Sequence, residues 1–149
     1  MQRILVALLC MATLSACSLS PPRNLYAGYS QNFGTWVANN GVDTFCLAPN
    51  LRLAIWSIET FFGRKVVVTS GYRNPWHNSD VGGKEDSYHM KCMAADIFIP
   101  GVDKSRLIAY AYRNGLVGGL GCYPGRSFIH IDVRNRPRGW SHPVTFSGC

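Results

Sequence analysis

Acidic residues are scarce in this chain: eight aspartates and glutamates stand against fifteen lysines and arginines over 149 residues, for a net charge of +7. A solvating acidic chain is thereby excluded, and work against an anionic surface is favoured. No apolar run reaches the ~18 residues that a membrane-spanning helix needs. None of the six cysteines is spaced C-x-x-C from another, which sets aside a four-cysteine zinc site. No internal repeat, low-complexity tract or basic run stands out, so solenoid and nucleic-acid-binding readings lose their usual support. What is present is 47% apolar residue content, in a length that suits one domain with an ordinary core.

The N-terminal stretch reads apart from the rest. Arg3 precedes "ILVALLCMAT", which is too short to span a bilayer and reads as the apolar region of a signal peptide. It ends in "LSAC", Leu14 to Cys17, which resembles a bacterial lipoprotein signal, where the cysteine thiol takes a diacylglycerol and becomes the first residue. The expectation is a signal peptide over residues 1–16, lipidation at Cys17, and a polar tether over 17–30 that carries Pro21 and Pro22. An ordinary signal peptide with Cys17 free is the alternative. Either way the chain is expected to be exported to the periplasm, and lipidation would anchor it to a membrane, the outer one by expectation, without spanning it. Removing residues 1–16 takes Arg3 and no acid, so the charge becomes +6. Cell-wall polymer or lipid headgroups fit that charge, and export argues against nucleic acid as a partner. Beyond Cys17 there remain Cys46, Cys92, Cys122 and Cys149, an even set that in an oxidising compartment reads as two disulfides with three possible pairings.

Periodicity places the elements of the domain, residues 31–149. A short helix is expected around Phe33 to Asn39. A clearer one runs through "NLRLAIWSIETFFG", where Leu51, Ile55, Ile58 and Phe62 recur at helical spacing, Asn50 is a cap candidate and Gly63 a stop. "KVVVTSG", "AADIFIP" and "SFIHIDV" read as strands, and "LVGGLGCY" as a strand or turn. "DKSRLIAYAYRNG" reads as a helix between Asp103 and Gly115. Residues 72–88 read as one long loop, of the kind that is usually functional. The chain after Arg134 reads as irregular. The fold class expected is α+β, a small antiparallel sheet with flanking helices.

Strand alternation turns that outline into a site. In "SFIHIDV", Ile129, Ile131 and Val133 share one face, and Phe128, His130 and Asp132 the other. In "AADIFIP", Ala95, Ile97 and Ile99 share the apolar face and Asp96 takes the opposite one. If the two strands are neighbours, Asp96, His130 and Asp132 converge, and His89 can fold back over them from the preceding loop. Two imidazoles and a carboxylate suit a catalytic zinc, which keeps three protein ligands and an open position. Scattered polar residues on a wet face are the plainer alternative. His77 and His142 fall in no motif and read as surface residues. Trp76 and Tyr88 could line a groove or simply pack.

The motifs "SGYRNP", "VGG", "SYHMKCMAAD", "GGLGCYP" and "FIHID" occur in that order. Together they resemble the zinc D-alanyl-D-alanine carboxypeptidases and peptidoglycan endopeptidases that share the hedgehog-type fold, in particular small bacterial and phage members. The resemblance spans Val66 to Trp140. The family pattern SxHxxGxAxD is met by Ser87, His89, Ala94 and Asp96, with Cys92 where the family usually has glycine. The resemblance implies Zn2+ held by His89, Asp96 and His130, with Arg73 and Ser87 holding the substrate, and Arg73 also able to stabilise a developing oxyanion. Several members carry Glu or His shortly before the last ligand as general base; "GRSFIH" has neither. Asp132 shares the His130 face and is the candidate base, with orientation of His130 as its alternative role. Cys92 and Cys122 both border the site, so Cys92–Cys122 and Cys46–Cys149 are the pairings expected, with crossing over left open. The function expected is amide hydrolysis in peptidoglycan stem peptides by a monomer, either as D,D-carboxypeptidase or as cross-link endopeptidase. A metal-holding wall-binding module without turnover is the alternative, and a metal-free structural lipoprotein a third.

Overall fold

A computed structural model describes residues 23–149. The expected signal peptide and the lipidation site at Cys17 lie outside the described residues. The expected tether is partly described, and it joins the fold early. Arg23–Tyr26 form a short 3-10 turn, and Tyr26 is buried with its hydroxyl donating to the Lys65 carbonyl at 2.7 Å.

Seven strands and three helices follow. In chain order they are β1 (Ser30–Asn32), β2 (Thr35–Val37), α1 (Pro49–Phe62), β3 (Val67–Ser70), α2 (Pro75–Asp80), β4 (Ala94–Phe98), α3 (Lys104–Arg113), β5 (Gly119–Gly121), β6 (Ile129–Asp132) and β7 (Val144–Phe146). All seven strands form one sheet in the order β1-β2-β3-β4-β6-β5-β7. The expected all-antiparallel sheet is corrected in part. The centre, β3-β4-β6-β5, is antiparallel, but β2 runs parallel to β3 and β7 parallel to β5. The expected helix at Phe33–Asn39 is instead the turn and second strand of a hairpin. Phe33 and Gly34 both take positive φ at the turn, and Trp36 and Val37 pair with Val67 and Val68.

Helix α1 opens on Pro49 at its first turn, so Asn50 is already inside it and does not cap. It closes on Gly63 in the left-handed conformation, as glycine allows at no steric cost. Asp103 precedes α3 with extended backbone but makes no side-chain cap bond, and α3 ends at Arg113 with Asn114, not Gly115, as its C-cap. The expected long loop contains α2, which Asn74 caps by accepting from the His77 N–H at 2.9 Å.

The core lies on one face of the sheet. Leu51, Ala54, Ile55 and Ile58 of α1 and Leu107 and Ala111 of α3 pack with Ile97, Ile99, Leu120, Ile129 and Ile131. In the β4–β6 ladder Ala95 faces Ile131 and Ile97 faces Ile129, both on the core side. The intervening pairs, Asp96 opposite His130 and Ala94 opposite Asp132, therefore face the other way. The register that buries the isoleucines is the register that gathers the polar groups.

The disulfides differ from the expected pairing. Cys46 bonds Cys92 and Cys122 bonds Cys149. The first ties the segment before α1 to the loop before β4, where the Ala48 N–H already donates to the Cys92 carbonyl. The second ties β7 to the end of β5, strands that lie side by side. Pairing follows contacts between segments distant in sequence, which the shared neighbourhood of Cys92 and Cys122 in the motifs does not encode.

Candidate metal centre and active-site cleft

His89, Asp96 and His130 converge, each buried, with one ligand atom apiece inside 4.8 Å of the others. The nearest approaches are tighter. His89 Nε2 lies 3.1 Å from His130 Nδ1 and 3.3 Å from Asp96 Oδ1, and His130 Nδ1 lies 3.0 Å from the same oxygen. Each ring is fixed from behind. His89 Nδ1–H donates to the Gly71 carbonyl at 2.7 Å, and His130 Nε2–H donates to Asp132 Oδ2 at 3.1 Å. Those partners fix both tautomers. What each ring turns toward the centre is then a bare lone pair, and Asp96 adds a third. Three lone pairs aimed at one point with no proton among them repel unless a cation sits between them. The spacing also suits one, since ligands bound at ~2.0–2.1 Å in a tetrahedral array lie about 3.3 Å apart. The donor set fits a metal ion.

Without a metal ion, a proton on the rings is what the buried carboxylates call for instead. Burial alone would raise the Asp96 carboxyl, but in the metal-free protein protonated His130 and His89 outweigh it and hold the group well below the usual carboxylate range. Burial would likewise lower His130, but the flanking carboxylates of Asp132 and Asp96 carry it upward. Arg73 Nη2 donates to the second oxygen of Asp96 at 2.7 Å, while its Nε donates to Ser70 Oγ at 2.8 Å. Arg73 Nη1 makes no hydrogen bond among the described residues. Ser87 lies in the loop before His89, and its hydroxyl accepts from the His89 N–H at 3.3 Å.

Asp132 is corrected as the candidate base. It is fully buried, stands on the far side of the His130 ring from the cluster, and holds Arg134 through that residue's N–H at 3.0 Å and Nε at 2.8 Å. A carboxylate so engaged orients His130 and cannot take a proton from a nucleophile at the cluster. Gly119 is required beside it, because a Cβ there would strike both Asp132 oxygens and Arg134 Nε. Asp132→Asn is expected to keep the fold and lower metal affinity by about 10–100-fold, with excess metal restoring function. Metal titration of the variant checks this, and unchanged affinity would oppose the orienting role.

Asp132 also carries a pH signature. Burial would raise its pKa, but the hydrogen bonds from His130 and Arg134 bring it from 3.8 down to about 2. A depressed carboxyl contributes stability above its unfolded value and loses it as pH falls through the folded one. In metal-free protein the contribution is about 2 kcal/mol, and Asp132→Asn should lack it. Urea unfolding between pH 5 and pH 2 tests the difference: the variant should lose less stability than the parent over that range.

A cleft of about 920 Å³ opens over the cluster. His89, Asp96, His130, Arg73 and Ser87 line it, so the expected ligands and both expected substrate contacts share one cavity. Tyr88 lines it too, with the Arg134 guanidinium 4.4 Å from its ring centre, whereas Trp76 is 83% exposed and lies outside. His77 is on the exposed face of α2, and His142 stacks on Tyr112. Among the cleft residues to which the motif reading gave no role are Arg134, Tyr123 and Phe146. Arg134 was legible, since alternation puts it on the Asp132 face. Tyr123 stood in "GGLGCYP" without a role. Phe146 belongs to β7, where the sequence read as irregular.

Comparison with known proteins follows the same residues. A family model described as peptidase M15 matches residues 30–132. The probable peptidoglycan L,D-endopeptidase MepK of Haemophilus influenzae is 36% identical over 95 residues, covering 57% of this chain and 50% of that protein. Peptidoglycan L,D-endopeptidase MepK of Escherichia coli K12 is 33% identical over 92 residues, with 57% and 50% covered; its counterpart in Shigella flexneri gives the same figures. The chain spans about half the length of the curated relatives it matches.

Proposed function

The chain belongs to the peptidase M15 family, and from that premise we propose that it hydrolyses amide bonds in peptidoglycan stem peptides with a zinc ion held by His89, Asp96 and His130. The observation that carries the proposal is the trio of inward lone pairs, each ring backed by its own acceptor. Cysteine thiolates are absent from the set and nitrogen predominates, which suits zinc better than magnesium or calcium. When bound, the ion supplies Lewis acidity, which polarises a carbonyl and acidifies water.

The chain's own groups do the rest. Gly71 and Asp132 lock the imidazoles. Arg73 fixes the free oxygen of Asp96 and keeps Nη1 for a substrate carboxylate or a developing oxyanion. Ser87 braces the loop that carries His89. The cleft volume sits near the upper end of ordinary ligand pockets, ~300–1,000 Å³, which favours a stretch of stem peptide over a single terminal residue. We therefore favour an endopeptidase over a carboxypeptidase. The exported, Cys17-anchored form proposed from the sequence would place it beside that polymer.

Arg73→Lys is expected to keep charge, fold and metal but lose the planar fork, and so to lower kcat/KM by on the order of 10²-fold. Wild-type-like turnover in that variant would remove Arg73 from the clamp.

One observation favours a metal-holding binding module instead. Among the described residues, Asp86 is the sole carboxylate of the cleft lining besides Asp96, and its side chain is 99% exposed. The test is digestion of purified peptidoglycan with and without zinc or a chelator, followed by mass analysis of the fragments. Cross-linked fragments resolving into monomers identify the endopeptidase. Loss of a terminal alanine identifies the carboxypeptidase. Intact material with the ion bound identifies the binding module and overturns the peptidase.

A further inference from the structure

We propose that Tyr123 is a catalytic hydrogen-bond donor, its phenol placed to hold the oxyanion that forms on the scissile carbonyl; this rests on the peptidase reading above. Tyr123 lines the cleft together with the three ligand residues and Arg73. Burial pushes its phenol pKa up and the Asp96 carboxylate adds to the rise, with Arg73 and Ser147 opposing it.

Its backbone is the second observation. Tyr123 has φ +43, a left-handed conformation that a bulky residue adopts only when its surroundings hold it there. The surroundings do so from every side. Its N–H donates to the Ser147 carbonyl at 2.7 Å, and its own carbonyl accepts from Lys104 Nζ at 2.8 Å and the Arg126 N–H at 3.1 Å. Cys122 just before it is bonded to Cys149. Phe128 and Phe146 flank the ring at 5.7 and 6.4 Å. Glycine would meet the needs of this turn without strain. What tyrosine adds is a hydroxyl, on a rigid ring, in a residue that lines the cleft.

The chemistry asks for such a group. Water oxygen bonds to the carbonyl carbon, and the C=O π pair moves onto oxygen as the oxyanion. Collapse re-forms C=O and breaks C–N, with the water's proton leaving on the amine. Arg73 has one uncommitted terminal nitrogen for that oxygen. A phenol, protonated at neutral pH, adds a second donor without a second charge and keeps its own proton throughout.

The test compares the full chain with Tyr123→Phe, which removes only the hydroxyl, and Tyr123→Gly, which also relieves the backbone. Two readouts are used with zinc bound: kcat and KM on peptidoglycan fragments, and calorimetric binding of a phosphinate pseudodipeptide against the corresponding carboxylate product. The expected result is a drop in kcat of about 10²-fold with KM nearly unchanged. Phosphinate affinity should fall by a similar factor while product affinity holds. Equal loss for phosphinate and product, or no loss for either, would overturn the assignment. If the parent chain turns over nothing, the peptidase reading fails, and phosphinate binding alone still decides Tyr123: selective weakening supports it and parity overturns it.

Discussion

His130→Ala and His89→Ala are expected to abolish metal retention alike and to lower peptidoglycan turnover by on the order of 10³–10⁴-fold, the equivalent of several kcal/mol of lost charge stabilisation. Their effects on folding should part company. In the metal-free protein, protonated His130 stands between two buried carboxylates, Asp96 and Asp132, within hydrogen-bond reach of both. Removing it leaves each with one cationic neighbour, Arg73 or Arg134, and a destabilisation of about 3–5 kcal/mol is expected when a buried pair is broken. His89 is bonded from behind by the neutral Gly71 carbonyl, so its loss orphans one acceptor, at about 1–3 kcal/mol. Metal analysis, turnover and urea unfolding of the two variants, side by side, check the pattern. A variant of either histidine that kept a full metal complement would remove that residue from the ligand set.

The second large effect concerns Cys92. Its φ is +57, in the region where glycine costs nothing and other residues cost ~1–2 kcal/mol. The pattern that the sequence resembles has glycine at this place, a residue that this backbone would suit. In this chain the bond to Cys46 offsets the strain. It closes a loop with a sequence separation of 46, for which chain entropy suggests about 4 kcal/mol of stabilisation. Cys46→Ala with Cys92→Ala should lose the cross-link and keep the strain. Cys46→Ala with Cys92→Gly should lose the cross-link and the strain together, and so be more stable than the alanine pair by about 1 kcal/mol. Because the His89 carbonyl accepts from the Cys92 N–H at 3.3 Å, the alanine pair should also bind metal more weakly. Denaturant midpoints for the two double variants decide it. Equal stability would mean that the turn carries no strain.

The site was largely legible because its logic is local. Alternation in "AADIFIP" and "SFIHIDV" assigns Asp96 and His130 to one face, and the buried isoleucines enforce that register. Where the reading fell short, the deciding contact was distant in sequence. Trp36 becomes a strand residue by pairing with Val67. Cys46 finds Cys92, and Cys122 finds Cys149, through backbone neighbours that no spacing reveals. Strand β7 exists because Gly119 and Gly121 offer it a parallel partner. Asp132 failed as base for a nearer reason. Arg134, two residues on, captures its carboxylate, and a pair on one strand face could have warned of that.

The walls of the cleft have separate origins. The cluster stands on β4, β6 and the loop before β4, all inside the segment shared with the family, which ends at residue 132. Val144, Phe146 and Ser147 also line the cleft, and they come from the tail beyond it, held on by parallel pairing and one covalent clasp at Cys149. The tail is therefore a wall and a brace at once: Arg134 holds the carboxylate behind His130, and the Ser147 carbonyl fixes the Tyr123 backbone. A different tail grafted behind residue 132 would change the rim of the cleft and the supports of the metal cluster together, so the two are bound to vary in step.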